Sequence, residues 1–411
     1  MRRLPATTVF YTLEVLLALP TWVVVSIYLV RELQLSPLQL VLMGTAMEAA
    51  VFACEIPTGV VADTYGRRFS LVIGFVGSGL AWLLVGVVST AWAVIALWVL
   101  WGFFYTFTSG AYEAWITDEV GAANVGPVFL RGARLSFAGG LLGLIVLVAV
   151  GTVSLRAAVI AGGAITIAAG VLCAVAMPET GFRPKPRSER DHAWRELFTT
   201  AARGFRFVRA QTLVLLLVVS ELFSGTASEA FDRLKEAHVI RNVGFPTAVS
   251  LDPVVWFGLF SAVAMLFGFF AVSALLRRVE RRGTREVAVT LVGLVAAMFV
   301  AELVFAFAGG FALAAVALLA VFVARGLANP LYLTWLNQQI SDSSVRATVI
   351  SISGQANAVG QAAGGPLLGA VGNVFGIPAA LAGGALLLLP ALAVYARALR
   401  YGGIEPELAG A

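Results

Sequence analysis

Six glutamates lie within long apolar segments of this 411-residue chain: Glu14, Glu48, Glu55, Glu113, Glu221 and Glu302. Burial disfavours the ionised form of a carboxyl group, so such a side chain can hold a proton at neutral pH and release it when water or a cation arrives. An ionised acid at the centre of a bilayer costs on the order of 2.5–3.5 kcal/mol, so it normally faces a cavity or a partner. These residues favour reversible proton binding inside a membrane.

Four of the acids are candidates for coupling proton movement to transport. Glu55 and Glu113 are predicted toward the inner third of the membrane, close to polar turns. Glu48 and Glu221 are predicted nearer the central cavity, where they would face a substrate. A structural hydrogen bond to a neighbouring helix is the alternative for each acid. The two acids that lie toward helix ends are assigned to that structural role first: Glu14 and Glu302.

One basic residue, Arg325, lies inside a predicted membrane segment. A buried arginine needs a carboxylate, and Glu221 is its nearest plausible partner by predicted depth. Asn329 and Pro330 follow one turn later, and the proline removes a backbone hydrogen bond, so this region can bend and expose carbonyl groups. Two interpretations are equally good: Arg325 contacts the substrate, or it forms an ion pair that only stabilises the C-terminal half.

Aromatic residues crowd the segment "LWVLWGFFYTF" at positions 97–107. Such rings stack against a flat ligand or attract a cation through their faces. Packing against lipid and neighbouring helices is the alternative. Together with the amides of the last spans, the candidates for the substrate cavity are Arg325, Asn329, Asn337, Gln355, Asn357, Trp101 and Tyr105.

The elements that position these residues are predicted to be transmembrane helices. Hydrophobic residues make up 60% of the chain and charged residues 12%, with a mean hydropathy of +0.91. A helix needs roughly 20 apolar residues to cross the hydrocarbon core. The sequence predicts twelve such segments, at 8–30, 39–62, 69–89, 91–117, 132–152, 155–177, 212–230, 253–276, 287–308, 310–337, 347–374 and 377–397.

Basic residues indicate the orientation of these segments. They concentrate in loops on one side, above all between Arg183 and Arg209 and between Arg277 and Arg285. Cytoplasmic loops retain Lys and Arg, so a multi-pass protein of the cell membrane with both termini in the cytoplasm is predicted. The sequence pI near 9.5 then reflects topology and not nucleic-acid binding.

The longest polar interval divides six segments from six. We therefore predict an N-terminal bundle at 1–177, a cytoplasmic linker at 178–211 and a C-terminal bundle at 212–411. Within the linker, Trp194 to Val208 has apolar residues at helical spacing among arginines, which is typical of an amphipathic helix on the inner membrane surface. A solvated spacer is the alternative. The outer stretch 227–246 is interpreted as an extension of the seventh span with a short surface helix, a possible lid, on which His238 is solvated.

The segment "GVVADTYGRR" at 59–68 resembles the signature of the major facilitator superfamily between spans 2 and 3. A threonine stands at position 64, where a basic residue is usual. A degenerate second copy, "ERRGTR" at 280–285, lies in the equivalent loop of the second half. The resemblance implies an all-α membrane protein with twelve transmembrane helices in two pseudo-symmetric six-helix bundles. The signature residues are Gly59, Asp63, Gly66, Arg67 and Arg68.

The same resemblance implies a conformational latch on the cytoplasmic side. Asp63 is expected to meet the N-terminal end of the eleventh span near 345–349, where free N–H groups and the helix dipole favour an anion. Arg67 is expected to pair with an acid at the inner end of the fourth span, Asp118 or Glu119. We expect this cluster to hold the two halves together and to stabilise the outward-open state.

Within the superfamily, "EIPTG" at 55–59 and "AYEAWITDE" at 111–119 look like the twelve-span drug:proton antiporter type. Two features of that type are missing: an arginine in the middle of the fourth span and a Gly-Pro motif in the fifth. A similar string, "GQAAGGPLLG" at 360–369, stands in the eleventh span instead.

The sequence therefore predicts a secondary transporter, most simply a proton-driven exporter of a small amphipathic compound. No phosphate-binding glycine loop, metal-spaced histidine pair or catalytic triad is found, so an enzyme is not expected. The expected partners are a small-molecule substrate, protons and the bilayer, without nucleic acid, for a monomer that needs no metal or cofactor beyond the proton gradient. The alternatives are a proton symporter that imports a metabolite and a non-transporting membrane sensor or lipid-handling protein.

Overall fold

The structure, a computed structural model, describes residues 4–182, 199, 201–279, 284–340, 342 and 345–402. The described residues form helices and connecting turns, without strands. Each of the twelve predicted segments coincides with helical structure. Nine helices in the described ranges are long and apolar enough to cross a membrane, and two shorter apolar helices cover Ala91–Tyr105 and Pro253–Gly268. The all-α membrane architecture is therefore confirmed.

Contacts divide the chain into two compact units. The N-terminal unit comprises Met1–Arg190 and Ser250–Leu259, and the C-terminal unit comprises Asp191–Val249 and Phe260–Ala411. The helices of the N-terminal unit are α1 Ala6–Ala18, α2 Trp22–Arg31, α3 Pro37–Tyr65, α4 Arg67–Val85, α5 Ala91–Tyr105, α6 Ala111–Val120, α7 Val125–Val153 and α8 Leu155–Ala176. The remaining helices are α9 at 201–210, α10 Thr212–His238, a π-helical turn at Val239–Val243, α11 Pro253–Val279, α12 Thr284–Ala306, α13 Phe311–Gln338, α14 Arg346–Phe375, α15 Ile377–Leu386 and α16 Leu388–Gly402.

Two predicted spans of the N-terminal unit are interrupted. The first is broken between α1 and α2, where Pro20 cannot continue a helix. The fourth is broken between α5 and α6, and Gly110 there adopts a φ of +69°, which favours glycine. The hydroxyl of Thr58 in α3 donates to the carbonyl of Thr106 at 3.1 Å and so satisfies one group that the break exposes. These breaks place polar backbone and acidic side chains beside the aromatic residues of α5.

Glycines permit close contact between α10 and α14 in the C-terminal unit. A Cβ at Gly360 would overlap the backbone carbonyl of Leu222. The hydroxyl of Thr226 donates to the carbonyl of Gly360 at 2.8 Å across the same contact. Small residues let helix backbones approach closely in membranes. Gly360 therefore allows α10 and α14 to pack closely.

We expect Gly360→Ala to lower the melting temperature of the purified protein, because the new methyl group must push α10 and α14 apart at a cost of about 1–3 kcal/mol. Gly354→Ala in the same helix is the matched control, since a Cβ there meets nothing within 4 Å. That control is expected to be neutral or slightly stabilising, because alanine favours helix over glycine. Equal melting temperatures for the two variants would contradict the close contact.

The predicted extension of the seventh span is confirmed, because helix continues through His238 to Val243, but the interpretation of this stretch as a surface helix is wrong. The helix α10 continues to His238, and its last turns are buried, with Glu229 paired to Arg233 at 3.1 Å. His238 is 2% exposed, and its Nε2 lies 3.0 Å from the carbonyl oxygen of Phe305, so it is not a solvated histidine. The polar residues suggested a surface location, whereas ion pairing within the helix accompanies their burial.

Part of the predicted linker lies outside the described residues, namely 183–198 and 200. The described helix α9 is amphipathic: Val208 is buried in the core of the C-terminal unit, and Gly204 faces Thr348 of α14. The arginines of α9 are exposed: Arg203, Arg206 and Arg209. A location on the inner membrane surface stays a prediction.

Candidate functional site

The C-terminal unit encloses a cavity of about 610 Å³. It is lined by residues of α10, α12, α13, α14 and α16. Its polar and ionisable lining consists of Glu221, Ser224, Ser228, Asp232, Glu302, Arg325, Asn329, Tyr332, Asn357 and Tyr395. Pro330 lies in the wall beside Asn329. Three of the predicted cavity residues, Arg325, Asn329 and Asn357, are therefore brought together here with the candidate acid Glu221.

Arg325 holds two carboxylates at one end of this cavity. Its Nη1 donates to Oδ1 of Asp232 at 2.6 Å, and its Nη2 lies 3.8 Å from Oε1 of Glu302. The guanidinium also lies over the ring of Phe231, with 5.3 Å to the ring centroid. Asp232, which lines the cavity, has a side chain that is 42% exposed, whereas that of Glu302 is 2% exposed.

The predicted pairing of Arg325 with Glu221 is wrong. Asp232 takes that place, eleven residues further along α10, which is about 16 Å on the helix axis. The prediction matched depth along the membrane alone, and it ended the seventh span at 230, before Asp232. The assignment of Glu302 to a structural hydrogen bond is not met either, because its Oε1 lacks a hydrogen-bond donor among the described residues and lies at ion-pair distance from Arg325.

Glu221 belongs to a second polar network, at the other end of the cavity lining. Asn357 of α14 donates to its Oε2 at 2.8 Å, and the Tyr395 hydroxyl of α16 donates to its Oε1 at 3.4 Å. Gln361 in turn donates to the side-chain oxygen of Asn357 at 2.7 Å. The hydrogen bonds of this one carboxyl group link α10 to α14 and α16, so its protonation state affects the contacts between these helices.

The charge of this cavity is unbalanced. Three carboxyl groups line it, from Glu221, Asp232 and Glu302, and Arg325 is the one basic residue among the described residues that line it. Full ionisation would leave a net charge of −2 beside an apolar wall. Buried charges without partners cost several kcal/mol each. The arrangement is suited to hold protons, or a cationic ligand, at the unpaired carboxyl groups.

The N-terminal candidates lie apart from this cavity. The Ser109 hydroxyl, next to the break before α6, donates to Oε1 of Glu55 at 3.2 Å. Glu48, two turns earlier in α3, is half-buried. Glu113 is exposed and lines a second cavity, of about 350 Å³, inside the N-terminal unit. The structure thus places these acids around the end of α5 and the start of α6.

Trp101 and Tyr105, two of the predicted substrate-cavity residues, line this second cavity. Their rings stack with centroids 5.2 Å apart. Two other predicted cavity residues lie in neither described cavity: Asn337 donates to the backbone carbonyl of Leu333 at 2.9 Å, and Gln355 is half-buried in α14.

The signature residues between α3 and α4 form a polar cluster. Arg67 pairs with Asp63 at 2.5 Å, and its Nε lies 3.8 Å from Oδ2 of Asp118 in α6. The alternative partner Glu119 instead accepts hydrogen bonds from Thr180 and Gly181. The predicted contact of Asp63 with 345–349 joins the two units and stays a prediction, as does the latch.

Gly66 and Arg68 have structural roles beside this cluster. Gly66 has a φ of +113°, a conformation that favours glycine, and it separates α3 from α4. The Arg68 backbone donates to Glu179, and its side chain donates to the carbonyls of Cys173 and Ala174, which lie in the last turn of α8. Such bonds satisfy carbonyls that a helix end leaves open. A Cβ at Gly59 meets nothing within 4 Å, and no described contact explains that glycine.

Three residues of α10 that the sequence interpretation missed follow a readable pattern. Ser224, Ser228 and Asp232 follow the predicted candidate Glu221 at spacings of three and four residues, so all four share one face of α10. This polar stripe on an apolar helix was a signal for the cavity. Tyr395, which lines the same cavity, and Trp22 and Trp82, which line the second cavity, carry no comparable signal, because they come from different helices.

Comparisons with known proteins cover most of the chain. The Major Facilitator Superfamily profile matches residues 7–365. An uncharacterized MFS-type transporter, YxaM from Bacillus subtilis (strain 168), is 23% identical over 401 residues, which are 94% of this chain and 94% of that protein.

Solved structures of transporters share the fold at low sequence identity. The nucleoside transporter NupG has a TM-score of 0.77 at 12% identity, over 97% of this chain and 100% of its own. A bacterial homolog of the human lysosomal transporter Spinster has a TM-score of 0.68 at 16% identity, over 96% of each chain. A POT family transporter in complex with a thioalcohol-conjugated peptide has a TM-score of 0.71 at 11% identity, over 97% of this chain and 96% of its own.

Proposed function

Because this chain belongs to the Major Facilitator Superfamily and is a membrane transporter of that type, we propose that it couples proton movement to the export of a small amphipathic compound. The observation that carries the proposal is the C-terminal cavity, where three carboxyl groups meet one guanidinium. A secondary transporter without a nucleotide site draws on an ion gradient, and protons suit buried carboxyl groups.

Within the cavity, the two partners of Arg325 are given different roles. Asp232 lies at hydrogen-bond distance from the guanidinium and remains its ionised partner. Glu302 is nearly fully buried, lies further from the same guanidinium, and competes with Asp232 for one positive charge. Glu302 is therefore the carboxyl group that binds and releases a proton as the ion pair shifts.

Glu221 is the second proposed proton site, in agreement with its selection from the sequence. As a carboxylate it accepts hydrogen bonds from Asn357 and Tyr395. A protonated Glu221 can accept fewer such bonds and becomes a donor itself. The contacts of α10 with α14 and α16 then change with protonation, which links proton binding to helix rearrangement in alternating access.

The N-terminal acids and the signature cluster complete the proposal. Glu55 and Glu113 remain proton-coupling candidates near the polar turns of α3 and α6, with Glu48 deeper in α3. The latch formed by Asp63, Arg67 and their neighbours is proposed to stabilise one conformational state. Export as the direction rests on the resemblance of "EIPTG" and "AYEAWITDE" to drug:proton antiporters. The proposal includes a monomer in the cell membrane, with both termini cytoplasmic and no cofactor.

Proteoliposomes that contain a pH indicator and an imposed pH gradient test this proposal. The probes are N-methylquinolinium, an amphipathic cation, together with uridine and dialanine, since similar folds occur in nucleoside and peptide transporters. We expect N-methylquinolinium to move against protons, so that its uptake releases protons from the lumen. Movement of a probe with protons would overturn antiport in favour of an importing symporter. A pH record equal to that of protein-free liposomes for all three probes would favour a sensor or scaffold.

A further inference from the structure

The cavity of the N-terminal unit has an aromatic wall. Of the thirteen residues that line its 350 Å³, six are aromatic: Trp22, Phe75, Trp82, Trp101, Tyr105 and Tyr112. They come from α2, α4, α5 and α6, so the wall is built by the whole unit and not by one helix. Aromatic faces carry partial negative charge and prefer flat or cationic partners.

Four tryptophans form a continuous cluster at this wall. The ring of Trp22 stacks on Trp98 with centroids 4.9 Å apart, and it lies 5.5 Å from Trp101 at a steep angle. Trp82 lies 5.1 Å from Trp22 and 6.4 Å from Trp101. Trp101 then continues to Tyr105 by stacking. Packing between the rings fixes their faces, so the cluster presents rigid surfaces to the cavity.

Acidic side chains lie beside this aromatic wall. Glu113 lines the cavity, and Glu55 accepts a hydrogen bond from Ser109, which lines the cavity as well. None of the thirteen lining residues is basic. The cavity therefore favours a cation over an anion of the same shape.

One polar group in the wall lacks a partner. The indole N–H of Trp82, a residue that is 6% exposed, has no acceptor among the described residues. Buried indole N–H groups normally find an acceptor. Two hydroxyl groups that also line the cavity donate within their own helices: Ser78 to the carbonyl of Gly74 and Thr166 to the carbonyl of Gly162.

We infer that this cavity is a binding site for a planar aromatic cation, which lies against the aromatic lining that includes Trp22, Trp101 and Tyr105, with its charge toward Glu113. A volume of 350 Å³ suits a ligand of two or three fused rings. The inference rests on the proposed function only in making this ligand a transported compound. Binding itself requires no proton coupling, and its site is lined by residues of the N-terminal unit.

Equilibrium dialysis of purified protein without a pH gradient tests the site. The probes are N-methylquinolinium and quinoline, which have the same two rings and differ in charge at pH 7.5. We expect the cation to bind at least about tenfold more tightly than quinoline, because ring faces and a carboxylate favour positive charge. We expect Trp101→Leu to weaken binding of the cation at least about tenfold, and Glu113→Gln to reduce the preference for the cation.

Trp92→Leu is the matched control, because Trp92 lies in the same helix but is 69% exposed and does not line the cavity. It is expected to leave binding of both probes unchanged. The inference would be overturned if Trp101→Leu bound the cation as tightly as the wild type and Trp92→Leu do. It would also be overturned if the wild type bound the two probes with equal affinity. A melting curve on each variant separates loss of binding from loss of fold.

The two proposals fail in different ways. If the aromatic cavity is not a ligand site, Trp101→Leu does not change binding in dialysis. Proton release in proteoliposomes, and its dependence on Glu302 and Glu221, is then still measurable. If proton coupling is wrong, the dialysis result stands and the carboxyl variants have no effect on proton movement.

Discussion

Replacing Arg325 with methionine is expected to destabilise the protein and to abolish transport. Glu302 would be left 2% exposed with no cation among the described residues that line its cavity. Removing one member of a fully buried ion pair costs about 3–5 kcal/mol, but Arg325 and Asp232 are 29% and 42% exposed, so about 2 kcal/mol is the better expectation. A lower melting temperature of the purified variant, together with loss of probe-driven proton movement in proteoliposomes, is the measurement.

A second substitution separates charge from packing. The double variant Arg325→Met, Glu302→Gln removes the uncompensated buried acid, so it is expected to recover much of the lost stability. Such recovery is the coupling that a double-mutant cycle measures. Transport is expected to stay absent, because the proposed proton site is gone. If the loss of stability in the double variant equals the sum of the losses in the two single variants, Arg325 and Glu302 are not energetically coupled, which contradicts the ion pair.

Glu302→Gln alone is expected to reduce proton-coupled transport to the level of protein-free liposomes while the protein remains folded. Glutamine has almost the shape of a protonated glutamate, so the cavity is preserved, but it cannot release a proton. The Asp232 pair with Arg325 stays intact at 2.6 Å. Internal pH during addition of N-methylquinolinium is the quantity to record. Exchange of the probe across the membrane without a pH gradient is expected to continue.

Glu286→Gln is the control for this variant. Glu286 lies in the first turn of the same helix, α12, and is exposed. Its substitution is expected to leave proton movement at the wild-type level. Wild-type coupling in Glu302→Gln would remove Glu302 from the mechanism and return the role to Glu221 or to the N-terminal acids.

The positions of the membrane segments were largely readable from the sequence, because each crossing needs a long apolar run. Exceptions arose where a local feature broke the pattern. Pro20 and Gly110 divide two segments that were predicted as continuous. In α10, the polar extension was predicted to be helical, but its burial, with Glu229 paired to Arg233, is not registered by hydropathy.

The partners within the site were much less predictable. Arg325 and Asp232 are 93 residues apart, and the sequence contains no information on how α10 and α13 are rotated about their axes. Hydropathy indicated that Arg325 needs an acid but not which one. By contrast, Arg67 and Asp118 were selected through a family resemblance, and the structure brings them to 3.8 Å.

The most direct test of the account is infrared difference spectroscopy of the purified protein in lipid, recorded between neutral and alkaline pH. A protonated carboxyl group gives a carbonyl stretch that is distinct from that of a carboxylate. The account predicts that this band is present in the wild type at neutral pH and is lost at alkaline pH. It also predicts that Glu302→Gln and Glu221→Gln each remove part of the band, whereas Glu286→Gln does not. An identical band in the wild type and in the double variant Glu302→Gln, Glu221→Gln would contradict proton binding in the C-terminal cavity.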